Sequence, residues 1–265
     1  MALKILKLMA CLLFFMSGVT MAAEQNLTNS GRWSEAELTR IIASARQIDN
    51  PGKRIVALSS HFIDAPYVPD TLIGGPQEAE QLVLSMTEFD CFTLLDVIEA
   101  LRRASDANDF PEQLKQVRYR TGMVRYENRR HFFSDWIAED DSVVSDVTAV
   151  VGQRRVKSVI KQLNLKSDNS YWLEGIDVAA REVTYIPASQ IDTEVLSALQ
   201  AGDYVGIYSD HAGLDVSHTG LIVKNKGNVM LRHASSRSGV GKVIDENLPG
   251  YLEGKSGLVV YRVKP

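Results

Sequence analysis

Cys91 is the residue best suited to covalent chemistry. It lies in the run Thr87-Glu88-Phe89-Asp90-Cys91-Phe92-Thr93-Leu94-Leu95. Thr87 and Asp90 are spaced like a capping box, and Asp90 can itself cap a helix. Either choice puts Cys91 in the first turn. Backbone N–H groups and the positive end of the helix dipole favour thiolate over thiol there. A nucleophilic cysteine needs that environment and a base. A buried, inert cysteine is the alternative for a lone thiol.

The candidate bases are His61, His131, His211, His218 and His233. His218 opens the run Ser217-His218-Thr219-Gly220-Leu221-Ile222-Val223, and His233 closes Val229-Met230-Leu231-Arg232-His233-Ala234. Asn225-Lys226-Gly227-Asn228 between them can form a tight hairpin with Gly227 at positive φ. With Lys226-Gly227 as the turn, Asn225 faces Asn228 and Gly220 faces His233. His218 then lies diagonal to His233 on one sheet face, within reach of two rings. Gly220 leaves the room between them. A register slip of one residue would break this arrangement. A cysteine, a base and a group that orients the base follow the logic of thiol catalysis. A Cys-His-His zinc site and two edge-strand histidines without a catalytic role are the competing readings. No CxxC or HExxH accompanies them, so no metal is expected.

These residues need a helix and a sheet to position them. Trp33–Ile48 reads as a helix capped by Ser34 and stopped by Asn50-Pro51-Gly52. Residues 62–75 read as an ordered loop. Glu78–Leu84 is a short helix or strand. Phe92–Ser105 is a helix with Leu94, Leu95, Ile98 and Leu101 on one face and Glu99, Arg102 and Arg103 on the other. Pro111–Val117 and Ile191–Leu199 are shorter helices, and residues 150–163 give no clear pattern. Strands are expected at 183–186, 203–208, 218–224, 228–233 and 257–263. Helices first and antiparallel strands later make an α+β fold.

The 265 residues hold 2 Cys and carry a formal charge of −4, an ordinary globular composition without the basic excess of a nucleic-acid binder. Residues 1–23 combine Lys4 and Lys7, an apolar run from Leu8 to Met16, and small residues up to Ala23. That is the pattern of a cleaved secretory signal peptide, with an apolar run shorter than a bilayer span. Leu8-Met9-Ala10-Cys11 is a poor lipoprotein box because most of the apolar stretch follows it. Cleavage removes two of 29 basic residues, leaving 27 against 33 acidic ones and a charge of −6. It also removes Cys11 and leaves Cys91 without a disulfide partner. The expected mature protein is a single domain, 24–265, periplasmic or secreted, with no membrane anchor.

In order along the chain come Asp90-Cys91-x-Thr93, Gly202-Asp203, Leu214-Asp215-Val216-Ser217-His218-Thr219-Gly220 and Arg232-His233-Ala234-Ser235. This order resembles the papain-like, NlpC-type cell-wall hydrolases, and more closely the bacterial N-acetylmuramoyl-L-alanine amidase-like family. Ala65-Pro66-Tyr67 with Thr71-Leu72 resembles the family's entrance loop. Arg118-Tyr119-Arg120, Tyr126, Arg129, His131-Phe132 and Asp135-Trp136 resemble its central block. The resemblance spans about residues 35–263. It implies a papain-like fold with N-terminal helices on a C-terminal antiparallel sheet, and hydrolysis of an amide in peptidoglycan without a cofactor. Cys91 would be the nucleophile, His218 the base and His233 the orienting residue. Phe92 departs from the smaller or polar residue that many relatives carry after the cysteine, which reshapes the pocket and leaves the triad in place.

Lys115 to His131 contains Lys115, Arg118, Arg120, Arg125, Arg129 and Arg130 against one acid, Glu127. Arginine holds carboxylates bidentately, and peptidoglycan stem peptides carry several. Tyr67, Arg120, Tyr126, Arg129, His131, Asp135 and Ser217 are therefore the expected substrate contacts. The plain alternative for the arginines is a solvated face paired with Glu139, Asp140 and Asp141. For function, the alternatives are a γ-D-glutamyl endopeptidase, an idle cell-wall-binding module, and a thiol enzyme acting on proteins or lipids.

Overall fold

The structure, a computed structural model, describes residues 31–138 and 144–264. The leader at 1–23 and the acidic cluster Glu139, Asp140 and Asp141 lie outside the described residues.

Helix α1 (Glu35–Arg46) starts at Ser34, whose side chain accepts from Glu37 N in a full capping box. The Pro51 expected to stop this helix instead opens α2 (Pro51–Ser60), with Asn50 as its cap. Proline lacks only an N–H that the first helical turn leaves unused, so it starts a helix as readily as it ends one. A two-stranded ribbon follows, β1 (Ile73–Gly75) and β2 (Glu78–Gln81). Then come α3 (Cys91–Arg103) and α4 (Phe110–Arg118). Short 3-10 turns at Arg120–Gly122, Tyr126–Asn128 and Phe133–Trp136 carry the chain through the central block.

The rest is sheet-rich: β3 (Val144–Asp146), α5 (Thr148–Gly152), β4 (Lys157–Leu163), β5 (Ala179–Pro187), α6 (Thr193–Ala198), β6 (Tyr204–Tyr208), β7 (Val216–Asn225), β8 (Asn228–Ser235), β9 (Lys242–Asn247), α7 (Leu248–Tyr251) and β10 (Gly257–Val263). The main sheet has eight strands in the order β4-β5-β10-β6-β7-β8-β9, with β3 also on β10. Its pairings are antiparallel. This is the expected α+β class. Strand β9 and helix α7 were not expected from the sequence, and both contribute to the site.

The central strands β6, β7 and β10 are buried on both faces. Tyr204, Tyr208, Leu221, Val259 and Tyr261 share a core with α1–α4, where Leu38, Ile55, Leu94, Ile98 and Leu114 sit. The alternating residues Val205, Ile207, Ile222, Leu258 and Val260 pack with Val151, Val195 and Leu248. Period-two alternation thus splits each of these three strands between two cores. Glu99 does not mark the outer face of α3 as its polarity suggested. It is fully buried, accepting from Arg102 Nε (2.8 Å) and Nη2 (2.7 Å) and from Tyr204 Oη (3.0 Å). A carboxylate tolerates that position only when its lone pairs are filled in this way.

Candidate active site

Asp90 caps α3, its Oδ1 accepting from Phe92 N (2.8 Å) and Thr93 N (2.7 Å), and Thr93 Oγ1 accepts in return from Asp90 N (3.0 Å). The capping box therefore joins Asp90 to Thr93 rather than Thr87 to Asp90. Cys91 is the first residue of the helix and is partly exposed. Strand β7 is tied to that turn directly: Thr219 Oγ1 donates to the Cys91 carbonyl at 2.8 Å. The residue after His218 thereby fixes the histidine strand to the cysteine turn.

The hairpin between the two histidines has the expected register, with Asn225 opposite Asn228 and Leu221 opposite Arg232. Lys226 (φ 47°) and Gly227 (φ 85°) both take positive φ, as a type I′ turn requires. Gly220 is forced by packing. A Cβ there would lie 2.6 Å from Leu231 Cδ1, 2.7 Å from the Arg232 carbonyl and 3.1 Å from His233 Cβ. In that space the two rings meet: His218 Nε2 is 2.7 Å from His233 Nδ1. A β-bulge opposite Ile207 and Tyr208 places Ser217 out of register beside His218.

The hydrogen bonds continue beyond the pair. His233 Nε2 lies 2.8 Å from Glu246 Oε2, and the other Glu246 oxygen accepts from Arg237 Nη2. A carboxylate only accepts, so the proton sits on His233 Nε2 and leaves Nδ1 as an acceptor. His218 must then donate from Nε2. Its Nδ1 carries the free lone pair, and one carboxylate on β9 sets both tautomers. Tyr251 of α7 packs its ring on both imidazoles, at 6.0 Å from His218 and 5.0 Å from His233.

Cys91, His218, His131 and Ser217 line one cleft of about 280 Å³ with Phe92, Phe132, Trp172 and Leu214. Burial, then the nearby Asp90 carboxylate, pushes the Cys91 thiol up to about 11. Hydrogen bonds from Thr219 and from the Cys91 N–H pull the other way and are outweighed. Burial first, and the repulsion of the capping carboxylate second, thus work against the thiolate that the helix start favours. Burial, followed by the charges of His233 and Lys255, holds His218 down to about 3. Both shifts favour a thiol and a neutral imidazole at rest. Desolvation also raises the phenols of Tyr67 and Tyr251, the latter to about 12, and a charge on Cys91 adds to both shifts. Both hydroxyls thus stay protonated near the sulfur.

The other expected contacts divide. Tyr67 leads along Phe89 toward Cys91, with Val68 N donating to the Phe89 carbonyl at 2.9 Å. His131 reaches the cleft, and its Nε2–H donates to the Tyr126 carbonyl at 2.8 Å. Arg120, Tyr126, Arg129 and Asp135 do not line the cleft and fall in two clusters behind it. Arg129 clamps the buried Glu80, with Nε 2.9 Å from Oε1, and its guanidinium stacks 5.2 Å from the Tyr126 ring. Asp135 accepts from Phe132 N (3.0 Å) and Arg181 Nη2 (3.1 Å) and pairs with Arg120 (3.4 Å). Arg118 pairs with buried Asp96 at 2.9 Å, and Arg130 holds backbone carbonyls of Gln116, Val117 and Tyr119. Arg118, Arg129 and Arg130 of the block face inward and brace the turn that lays Phe132 and Phe133 on the cleft, while Arg125 pairs with Glu127 and Lys115 with Glu112 on the surface. Among the described residues, no three His, Cys, Asp or Glu side chains are grouped to hold a metal, and no helix is long and apolar enough to cross a membrane.

Four elements of the site are not evident in the sequence. Glu246 sits on the unexpected β9 and Tyr251 on the unexpected α7. Thr219 belongs to the histidine strand and to the family motif, but its bond to the Cys91 carbonyl is not visible in either. Trp172 lies on the connection from β4 to β5, where Asn164 holds Leu173 N (2.7 Å) and the Leu173 and Ile176 carbonyls (2.9 and 2.7 Å). The polar stretch Lys166-Ser167-Asp168-Asn169-Ser170 ahead of Tyr171-Trp172 was the available signal for a turn presenting an aromatic pair.

The profile of the N-acetylmuramoyl-L-alanine amidase-like (AmiA-like) family matches residues 57–258, most of the chain and all of this site. The chain belongs to this family. A solved N-acetylmuramoyl-L-alanine amidase from Bacteroides uniformis is 26% identical, superposes with a TM-score of 0.68, and covers 81% of this chain and 99% of its own. A Legionella pneumophila protein shares the fold at a TM-score of 0.71 with 21% identity, over 87% of this chain and 94% of its own. A Bacteroides fragilis protein for which xylanase activity has been put forward is 26% identical, with a TM-score of 0.64, over 78% of this chain and 100% of its own. No curated protein sequence is a significant match. This amidase-like chain is thus a member of a cell-wall hydrolase family.

Proposed function

We propose that this chain is an exported cysteine hydrolase that cuts the amide between N-acetylmuramic acid and L-alanine in peptidoglycan or its muropeptides. Residues 24–265 form one papain-like domain in this reading, with the leader removed on the way to the periplasm or the exterior. The observation that carries it is the polarised chain from the Cys91 cleft through His218 and His233 to Glu246.

Cys91 is the nucleophile and His218 Nδ1 the base. The thiol proton passes to Nδ1 as sulfur attacks the carbonyl carbon, so charge forms only as the bond forms. His233 and Glu246 stabilise the resulting imidazolium, which matters because burial disfavours it at rest. The Cys91 N–H is one oxyanion donor, and the protonated Tyr67 hydroxyl is the second that we assign. The imidazolium then gives its proton to the leaving amine. A thioester remains, and water activated by His218 hydrolyses it. The cleft's Phe92, Phe132 and Trp172 offer apolar and aromatic surface to the acyl half, which suits a sugar-borne lactyl group better than a charged peptide. Glycoside hydrolysis needs two carboxyls flanking the bond. Among the cleft-lining residues only Asp215 has one, and it is buried and accepts from Ser134 N and Val216 N, each at 2.7 Å.

Digestion of sacculi and defined muropeptides by the mature protein and by Cys91→Ala, read by mass spectrometry, tests this. Free glycan plus an intact L-Ala peptide supports the amidase. Cleavage after γ-D-Glu makes it an endopeptidase. The absence of any Cys91-dependent product would leave an idle wall-binding module.

A further inference from the structure

His218 and Ser217 border a second cleft that Cys91 does not line. It has a volume of about 460 Å³ and is lined also by Ser236, Arg237, Tyr251, Glu253 and Lys255. Its character is opposite to that of the cysteine cleft. Two cations and several hydroxyls face one acid, where the other cleft is aromatic. Arg237 already pairs with Glu246. Lys255 is exposed, and its ammonium lies 5.6 Å from the Tyr251 ring centroid. An ammonium on the rim of a polar cleft, beside two serine hydroxyls, is a set of donors for a carboxylate.

The topology gives this cleft a direction. The acyl half of the substrate becomes bonded to Cys91 and stays in the cleft that contains the sulfur. The amine half receives its proton from His218 and leaves toward the cleft that His218 and Ser217 border without Cys91. We propose that this second cleft is the leaving-group subsite, and that Lys255 with Ser236 and Ser217 binds a carboxylate of the departing peptide. The inference rests on Cys91 and His218 as nucleophile and base, and it adds which half of the substrate lies on each side of them. The best-placed carboxylate on a short L-Ala-γ-D-Glu peptide is the α-carboxylate of the glutamate, close to the cut amide.

The test compares two dipeptides, L-Ala-γ-D-Glu and its α-carboxamide form, by calorimetry against the Cys91→Ala protein. The carboxylate form should bind about tenfold more tightly, the scale of a charge-assisted hydrogen bond. Lys255→Met should abolish that preference and Lys255→Arg should keep it. Lys255 is a surface residue, so both variants should melt with the parent protein. Equal affinity for the two dipeptides, no binding of either, or a preference that survives Lys255→Met overturns the subsite. Wild-type turnover of muropeptides is read separately. A carboxylate preference in a protein that cleaves nothing would keep the subsite and refute the hydrolase. Cys91-dependent cleavage without the preference would do the reverse.

Discussion

Replacing Glu246 by Gln is the sharpest perturbation of the relay, because Arg237 decides how the new amide must point. Arg237 Nη2 donates to Glu246 Oε1, while Oε2 lies 2.8 Å from His233 Nε2. In Glu246→Gln the only oxygen turns to Arg237, since an amide nitrogen cannot accept. The NH₂ group then faces His233 and forces Nε2 to accept. His233 Nδ1 becomes the donor, His218 Nε2 must accept, and the proton moves to His218 Nδ1, where it blocks uptake of the thiol proton. Holding the working tautomers instead leaves the amide facing an imidazole N–H, one charge-assisted hydrogen bond short. That bond is worth about 1.5–3 kcal/mol, which corresponds to a fall in kcat of about ten- to a hundredfold. Adding Arg237→Ala frees the amide to rotate and present its oxygen to His233. The double variant should therefore be faster than Glu246→Gln alone, by about fivefold or more. Single-turnover rates on a defined muropeptide, with circular dichroism to check folding, measure both. Wild-type kcat in Glu246→Gln, or a double variant no faster than the single one, would refute the tautomer reasoning.

Gly220→Ala should cost about 1–3 kcal/mol in urea unfolding, because its Cβ would press on a backbone carbonyl and on His233. Its kcat should fall as well, as β8 is pushed away from His218. His218 has a folded pKa of about 3, below its ordinary value of 6.5, so between those values the unfolded chain binds the extra proton. Stability should fall as pH drops from 6.5 toward 3, with up to about 1.4 kcal/mol per pH unit from this residue, and His218→Gln should flatten the slope in pH-dependent denaturation. Arg129→Ala strands the buried Glu80 carboxylate. It should lower stability by roughly 3 kcal/mol, seen as a reduced Tm, while KM for muropeptides changes little.

The parts of the site legible in the sequence were those governed by local rules. A cap four residues before a run of leucines located Cys91, and a Lys-Gly turn with period-two alternation fixed His218 against His233. Gly220 followed from the same register. Partners from distant elements were not legible. Glu246 could not be tied to His233 without β9, whose sequence Lys242-Val243-Ile244-Asp245-Glu246-Asn247 alternates weakly and follows a glycine-rich turn. The arginine block showed a second limit. A cluster of like charges in sequence says nothing of where its counter-charges lie, and Glu80, Asp96 and Asp135 come from three separate segments. The thiolate expectation at Cys91 meets opposition of the same kind, because burial pushes the thiol up. The helix dipole is visible in a sequence, but the desolvation that outweighs it depends on what packs above the turn.

Rapid-quench mass spectrometry of the intact protein during turnover of a disaccharide-tetrapeptide tests covalent catalysis at Cys91 most directly. A transient adduct of the glycan-lactyl half, mapped to Cys91 and formed as L-Ala peptide is released, is the predicted result. A folded Cys91→Ala protein that hydrolyses the same muropeptide at the wild-type rate would contradict it.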